Sequence, residues 1–329
     1  MQAVIDRRQF FRCSGCAALG FGLFAGVARQ VAAAQDGTLP KMEAVQVAPN
    51  CWYVEGLSQL GSPTNQNFIS NAGFVVTSKG VVVIDALGSP AAAKRLLGEI
   101  AKVTDQKVAH VIVSHYHADH IYGLQVFADL GVPITAHQGG REYLHSELAE
   151  QRLQASRVDI APWIDADTRL IGASDWIDSR RELTVGDTQF ILEPVGPAHT
   201  PEDLAVYVPR YKTLYAGDVV FRGRIPYVGG DANAGSWLKS LDKVLAMDAQ
   251  VLVPGHGPIS TDPRDDVKFI HDYLTLLRQQ MGKAAEEMTP FEQAYAAADW
   301  GKFKDAPLFN AANRLNAYNT FLLMEREAK

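Results

Sequence analysis

Three histidines and an aspartate lie within six residues of one another in the segment Ser114-His115-Tyr116-His117-Ala118-Asp119-His120. The chain has nine histidines, so a third of them fall in this stretch. Side chains at i, i+2 and i+4 of an extended backbone point to the same side. We therefore expect His115, His117 and Asp119 to converge, with His120 beginning the next helix. Imidazole and carboxylate groups at this density suit a borderline cation such as Zn²⁺.

Further candidate ligands follow other short apolar runs, each beside glycine or proline. His199 lies in Gly-Pro-Ala-His, Asp218 in Ala-Gly-Asp, and His256 in Pro-Gly-His. Asp85 ends the apolar run 81–84. Ligand sites in sheet proteins cluster just beyond the carboxyl ends of buried strands. These positions are therefore expected to meet the histidine cluster at one edge of the fold.

The apolar pattern predicts two rounds of strands followed by helices. Short β-branched runs between turn residues predict a β-meander from about Val45 to Ile84. An amphipathic helix over 90–103 and a buried strand over 108–113 follow. The second round has strands between 181 and 215, a helix over 235–247 and a strand at 251–253. Two such rounds, with the helices outside, predict an α/β fold arranged as a four-layer αββα sandwich.

The two ends of the chain differ from this pattern. Residues 261–329 show only helical spacing and are interpreted as a C-terminal helical extension of a catalytic domain over 35–260. Residues 1–34 have a basic start at Arg7-Arg8, a mildly apolar middle and small residues before Gln35. This is typical of an export signal, and the paired arginines resemble a twin-arginine signal. We expect a periplasmic protein, without stable membrane insertion once the signal is cleaved. A membrane anchor is the alternative, although its apolar run is short of the ~20 residues that span a bilayer.

Composition narrows the function classes. The net charge is -6 and the sequence pI is about 5.8. This balance argues against nucleic-acid binding. Cleavage after Ala34 would remove four arginines and one aspartate, which leaves a charge of -9 and a single thiol, Cys51. The candidate metal ligands instead favour a small-molecule substrate, and the sequence does not identify a protein partner.

Taken in order, the motifs resemble those of the metallo-β-lactamase superfamily over about residues 45–260. The resemblance implies that His115, His117 and His199 hold one zinc ion. It implies that Asp119, His120 and His256 hold a second, with Asp218 shared between the two ions. Asp119 is also assigned a catalytic role. Asp85 would not bind a metal itself but would orient the loop that carries the ligands. Helix capping is the alternative role for Asp85.

The resemblance also bears on the substrate. Members dedicated to antibiotics usually carry Cys or Ser where this chain has Asp218, whereas glyoxalase II-like thioesterases, lactonases and phosphoesterases keep the Asp. Residues 217–229 and 316–320 look like a periplasmic SoxH-like and quinoprotein-relay branch. We therefore expect a hydrolase with two Zn²⁺ per chain that attacks the acyl carbon of a thioester, lactone or ester. A β-lactam hydrolase and a mononuclear-iron persulfide oxygenase are the alternatives, so iron is a possible metal.

Two arginines follow Asp218 within six residues, namely Arg222 and Arg224. A guanidinium group binds a carboxylate through paired hydrogen bonds. Both are therefore candidate substrate-binding residues, and surface loop arginines are the alternative interpretation.

Overall fold

A computed structural model describes residues 39–328 of the chain. The predicted export signal therefore lies outside the described residues. Within 39–328, no helix combines the length and apolar character needed to cross a lipid bilayer.

The first half of the described chain forms a seven-stranded sheet whose strands are neighbours in sequence order. They are β1 (Ala44–Ala48), β2 (Cys51–Val54), β3 (Ala72–Thr77), β4 (Gly80–Ile84), β5 (Val108–Ile112), β6 (Ile134–His137) and β7 (Asp175–Ile177). The first four are antiparallel neighbours, as a meander requires. β5, β6 and β7 then add in parallel, which requires crossover connections.

The second sheet has five strands and follows in the chain. They are β8 (Arg181–Val185), β9 (Thr188–Pro194), β10 (Leu204–Val208), β11 (Thr213–Tyr215) and β12 (Val251–Val253). β8 to β11 pair antiparallel. β12 pairs parallel to β11 after a long helical connection. The carboxyl ends of β11 and β12 therefore lie at the same edge.

Helices make the crossovers and the carboxyl-terminal part of the fold. They are α1 (Pro90–Val103), α2 (Ala118–Ile121), α3 (Leu124–Asp129), α4 (Gly139–Leu144), α5 (Glu147–Asp159), α6 (Ala234–Ala246), α7 (Pro263–Glu286), α8 (Phe291–Ala297) and α9 (Phe309–Glu327). α1 begins where the Ser89 side chain accepts a hydrogen bond from the Ala92 amide, with Pro90 at the first helical position. Both features stabilise a helix start.

Three apolar cores separate four layers. Val82 of β4 lies between the sheets, against residues such as Phe190 and Val206. Its neighbour Val83 faces the other way, into a core shared with Leu96 of α1. Alternate side chains of a strand point to opposite faces, so β4 is buried throughout because both faces of its sheet are covered. The αββα sandwich predicted from the sequence is confirmed.

The carboxyl-terminal helices pack on the second sheet and share its outer core. Leu252 of β12, Leu277 of α7 and Phe321 of α9 belong to one buried cluster. The predicted C-terminal helical region is confirmed, and its first helix begins at Pro263. The helices nevertheless have no core separate from that of the sandwich.

Some predicted elements differ from the structure. The apolar pair Phe68-Ile69 predicts a strand, but this segment follows two residues with positive φ, Gln66 and Asn67, and is irregular. Phe68 is buried here without strand pairing. No apolar pattern in the sequence indicates β7, because only Ile177 of its three residues is buried.

Candidate metal centre

Seven histidine and aspartate side chains meet at one edge of the sandwich, beyond the carboxyl ends of strands from both sheets. They follow β5, β9, β11 and β12 in the chain. The ligand atoms form two groups, and within each group they all lie within 4.8 Å of one another. The groups are His115, His117, His199 and Asp218, and Asp119, His120 and His256. The structure thus brings together all seven residues that the sequence singled out.

The Asp218 carboxylate lies between the two groups. Its Oδ2 is 3.2 Å from Nε2 of His199 and 3.3 Å from Nε2 of His256. Its Oδ1 is 3.1 Å from Nε2 of His120. One buried side chain therefore reaches atoms of both groups.

The segment around His117 is extended only in part. His117 has extended dihedral angles, with φ -93° and ψ 150°, and α2 begins at Ala118. Asp119 therefore lies in the first turn of a helix, not in an extended run as the spacing predicts. The turn still directs Asp119 inward, because its Oδ2 is 3.2 Å from Nε2 of His256. Nδ1 of His117 is 2.8 Å from Nε2 of His199.

In four of the five clustered histidines, Nδ1 forms a hydrogen bond with a group that is not one of the seven clustered side chains. An imidazole that donates from Nδ1 keeps the lone pair of Nε2 for a metal. His117 differs, since its Nδ1 faces the cluster. The partners of Nδ1 are Ser114 Oγ for His115 (3.0 Å), Asp85 Oδ2 for His120 (2.8 Å), the Tyr227 carbonyl for His199 (3.0 Å) and the Ile69 carbonyl for His256 (2.7 Å).

Asp85 connects two of these histidines. Its Oδ1 accepts from the Ser114 amide at 2.7 Å, and its Oδ2 accepts from the Ser114 hydroxyl at 2.7 Å and from His120. Ser114 in turn contacts His115. Helix capping is not its role, because Ser89 caps α1. Asp85 has φ 62°, a left-handed conformation that aspartate tolerates better than most residues.

Two glycines leave room for Asp218. A Cβ on Gly255 would lie 1.9 Å from Asp218 Oδ1 and 2.7 Å from the Gly217 carbonyl carbon. Gly217 has φ +54°, and a Cβ there would meet Ser114 at 2.7 Å. Glycine is therefore required where β11 and β12 bring their following loops together.

The surroundings of the cluster shift the pKa values of its side chains in different directions. Burial lowers the pKa of His115 and His117 well below the usual value, and neighbouring histidines add to this. Burial acts in the same direction on His120, but the carboxylates around it raise its pKa well above the usual value. Burial opposes ionisation of Asp218, yet His256 and His120 hold its pKa well below the usual value. Asp218 is therefore an anion at neutral pH.

The donor set fits a bound metal. Nε2 of His115, Nε2 of His120 and Oδ1 of Asp218 are buried and form no well-directed hydrogen bond among the described residues, although the last two atoms lie 3.1 Å apart. A buried polar atom left without a partner costs about 1–3 kcal/mol. A cation bound at each group would satisfy these atoms, and imidazole and carboxylate are preferred ligands of Zn²⁺.

A cavity of about 390 Å³ opens onto the cluster. Its polar lining residues include Asp119, Arg152 and Arg224. Its apolar and aromatic lining residues are Leu60, Ile69, Ala118, Phe221, Tyr227, Ala311, Ala312 and Leu315.

The two candidate substrate-binding arginines occupy different places. Arg224 lines the cavity, is 6% exposed, and lies over the Phe221 ring. Arg222 is not among the cavity-lining residues. It binds the Asp266 carboxylate at 2.8 Å and the Ile259 carbonyl at 2.7 Å. The structure therefore brings only Arg224 to the cavity, because Arg222 is held by α7.

Sequence reasoning missed Arg152 and the apolar residues of α9. Arg152 lies on α5, in a helix with no motif, and its charge helps to lower the pKa of His117. Ala311, Ala312 and Leu315 come from the helical extension. No local signal in the sequence connects either segment to the histidines, since both reach the cavity only through tertiary packing.

Comparison with known proteins places the chain in a family. The sequence profile of the Metallo-beta-lactamase superfamily matches residues 66–256, more than half of the chain. Metallo-beta-lactamase type 2 from Bacillus cereus is 27% identical over 65% of this chain and 76% of its own length. The 2,4-dinitroanisole O-demethylase subunit alpha from Nocardioides sp. is 27% identical over 54% of this chain. This chain matches only 49% of that relative's length.

Solved structures support the same fold. A metallo-beta-lactamase from Pontibacter korlensis superposes with a TM-score of 0.55 at 21% identity, covering 71% of this chain and 99% of that one. The inverting sec-alkylsulfatase Pisa1 from Pseudomonas sp. has a TM-score of 0.64 at 18% identity, covering 86% of this chain and 50% of that one. The sulfatase match is too long to end before residue 261, so it includes part of the carboxyl-terminal helices. The chain belongs to the metallo-beta-lactamase superfamily and is a metal-dependent hydrolase.

Proposed function

We propose that this chain is a dinuclear zinc hydrolase that attacks the acyl carbon of a thioester, lactone or ester. His115, His117 and His199 hold one ion in this proposal, and Asp119, His120 and His256 hold the other. The observation that carries it is the place of Asp218, whose Oδ2 faces His199 at 3.2 Å and whose Oδ1 faces His120 at 3.1 Å. A carboxylate in this position could bind two cations at once, one through each oxygen.

Two bound zinc ions supply a hydroxide nucleophile near neutral pH and polarise the acyl oxygen. Two Zn²⁺ contribute four positive charges, and Asp119, Asp218 and a hydroxide contribute three negative ones. The remaining positive charge attracts an acyl oxygen. The Asp119 side chain is 17% exposed, against 4% for Asp218. Asp119 is thus the more accessible carboxylate, and in this proposal it would orient the hydroxide by accepting a hydrogen bond from it.

The identity of residue 218 favours acyl substrates over β-lactams. By the family resemblance, lactamases dedicated to antibiotics usually carry Cys or Ser where Asp218 stands. A carboxylate that served both metal ions would hold them close to one nucleophile, and this would suit attack on an activated acyl carbon. Expelling a lactam amine also needs a metal free to stabilise the nitrogen anion. β-Lactam hydrolysis remains the alternative, and the lactamase relatives at 27% identity are the observation that favours it.

The cavity favours a substrate with an anionic group and an apolar part. Arg224 and Arg152 supply positive charge beside the cluster, and guanidinium groups bind carboxylates strongly. Leu60 is 62% exposed and Leu315 is 44% exposed, so both present apolar surface at the cavity. Its volume of about 390 Å³ lies in the range of small-molecule sites.

The proposal is tested by kcat/KM on matched panels of thioesters, lactones, cephalosporins and carbapenems. The zinc-loaded protein should prefer at least one thioester or lactone. A β-lactam that exceeds every thioester and lactone by more than about tenfold, or ~1.4 kcal/mol in transition-state free energy, would reverse this order. Asp218→Ala serves as the control, because it should abolish both activities if they share one nucleophile.

Periplasmic export through a twin-arginine signal is part of the same proposal. It rests on Arg7-Arg8 and on the small residues before Gln35. Replacing both arginines with lysine should leave the precursor in the cytoplasm, as followed by cell fractionation. Unchanged delivery to the periplasm would contradict the twin-arginine route and leave ordinary secretion as the explanation. Membership of the SoxH-like branch remains a prediction.

A further inference from the structure

A buried asparagine on the last helix contacts the loop around Tyr227, whose carbonyl group accepts a hydrogen bond from His199. Asn316 of α9 is 0% exposed. Its Nδ2 donates to the Pro226 carbonyl at 2.7 Å, and its Oδ1 accepts from the Val228 amide at 2.8 Å. A carbonyl only accepts and an amide only donates, so these partners fix the orientation of the side-chain amide. Asn316 therefore binds the backbone on both sides of Tyr227.

One of these bonds acts on the peptide group that supports the metal centre. The Tyr227 carbonyl and the Val228 amide belong to the same planar peptide unit. Asn316 binds the N–H of this unit, and the C=O accepts the hydrogen bond from Nδ1 of His199 at 3.0 Å. Because the unit is planar, holding its N–H also sets the direction of its C=O. A peptide that donates to Asn316 is also the stronger acceptor for His199, since consecutive hydrogen bonds polarise one another.

The asparagine is itself held by a buried polar network. Its Nδ2 also donates to the Tyr273 hydroxyl at 2.9 Å, and Tyr273 donates to Asn313 Oδ1 at 2.8 Å. Asn313 then donates to the Tyr295 hydroxyl at 3.0 Å. Tyr273 and Asn313 are also 0% exposed. A polar network inside an apolar core is tolerated when its members are satisfied, and this one joins α7, α8 and α9 to the loop behind His199.

We propose that Asn316 is a positioning residue for His199, so that the carboxyl-terminal helices form part of the metal centre. This inference rests on the proposed ligand role of His199 and adds to it a residue more than a hundred positions away in the chain. An amide side chain offers the donor for Pro226 and the acceptor for Val228 at once. The test uses Asn316→Leu, which is close to asparagine in shape and removes both the donor and the acceptor.

The test measures the two stepwise zinc dissociation constants by competition with a chelator. Partners of metal-bound histidines contribute about 10- to 100-fold to metal affinity. Asn316→Leu should weaken one constant by about that factor and leave the other within about threefold. Asn319→Ala is the matched control. Asn319 lies on the same helix and donates to the Val228 carbonyl at 2.9 Å, which belongs to the next peptide unit, so both constants should stay within about threefold.

A spectroscopic readout separates positioning from general stability. In ¹⁵N-histidine-labelled, zinc-loaded protein, the Nδ1–H signal of His199 should shift in Asn316→Leu and stay in place in Asn319→Ala. If Asn316→Leu fails to fold, Tyr273→Phe takes its place. It removes one acceptor of the Asn316 amide and should weaken the same constant by about threefold or more.

Three results would overturn the inference. They are unchanged constants in Asn316→Leu, equal losses in Asn316→Leu and Asn319→Ala, and, where only Tyr273→Phe folds, unchanged constants in that variant. Failure of the unsubstituted protein to bind two zinc ions would instead contradict the proposed function. The two failures are thus distinguishable.

Discussion

The Asp85 carboxylate accepts a hydrogen bond from Nδ1 of His120 at 2.8 Å. Both side chains are buried, and the contact joins the end of β4 to the first helix after β5. Through the Ser114 hydroxyl the same carboxylate also reaches His115. One residue without direct access to the cavity therefore orients a histidine in each of the two groups.

Asp85→Asn should weaken zinc binding by about 10- to 100-fold, since partners behind metal-bound histidines contribute that much. Asparagine tolerates the left-handed backbone of this position and keeps one acceptor for the Ser114 amide. It loses the acceptor for His120. Chelator competition measures the effect. Ser89→Ala is the control, because it removes the cap of α1 at a cost of about 0.5–2 kcal/mol in stability and should leave zinc affinity unchanged. Equal zinc affinity in Asp85→Asn and the parent would contradict the role.

Gly255→Ala should displace Asp218 and reduce bound zinc to less than two ions per chain. The new Cβ would lie 1.9 Å from Asp218 Oδ1 and 2.7 Å from backbone atoms of Gly217, so side-chain rotation alone does not relieve the clash. Elemental analysis and thermal unfolding measure the result. Gly98→Ala is the matched control. No atom lies within 4 Å of its added Cβ, and alanine inside α1 should raise stability by about 0.5–1 kcal/mol. Full zinc content in Gly255→Ala would count against the described packing.

The sandwich and the convergence of the seven clustered residues could be predicted from the sequence for a physical reason. Each ligand follows a short strand with a strong apolar pattern. The position of the strand in its sheet determines where the ligand after it lies. Arg152 and Leu315 had no such signal, because their helices reach the cavity through packing between distant segments. Arg222 and Arg224 could not be distinguished in sequence. Their contrasting positions depend on Asp266 of α7, which binds only Arg222.

Arg224→Gln should lower kcat/KM for carboxylate-bearing esters about tenfold or more, and that of uncharged esters much less. The reason is that a hydrogen bond to a charged group contributes about 1.5–3 kcal/mol. Arg222→Gln is the control, since Arg222 binds Asp266 and the Ile259 carbonyl outside the cavity. Its kcat/KM should stay close to that of the parent. Equal effects of the two substitutions on charged and uncharged esters would remove Arg224 from substrate binding.

Zinc in the group containing His120 should be the more sensitive to acid. Without metal, the pKa of His120 and of His256 is raised despite burial, chiefly by Asp218. The pKa of His115 and of His117 is lowered by burial. Zinc must therefore displace protons from His120 and His256 at neutral pH, but not from His115 and His117. Affinity of that group should therefore fall about tenfold per pH unit for each proton displaced.

Dialysis at pH 8, 7 and 6 followed by elemental analysis checks this order of release. One ion should leave before the other as the pH falls. His256→Ala lacks a complete second group, so its remaining ion should be the one held by His115, His117 and His199. That ion should stay bound at a lower pH than the ion that the parent protein releases first. Loss of both ions together, or earlier loss of the ion held in His256→Ala, would contradict the assignment.

The metal content of the purified chain, measured without chelator, tests the central claim most directly. We expect close to two zinc ions per chain, and loss of at least one ion in Asp218→Ala, because this carboxylate reaches both ligand groups. One iron ion per chain, with no second metal, would contradict the dinuclear zinc hydrolase and favour the iron oxygenase in its place.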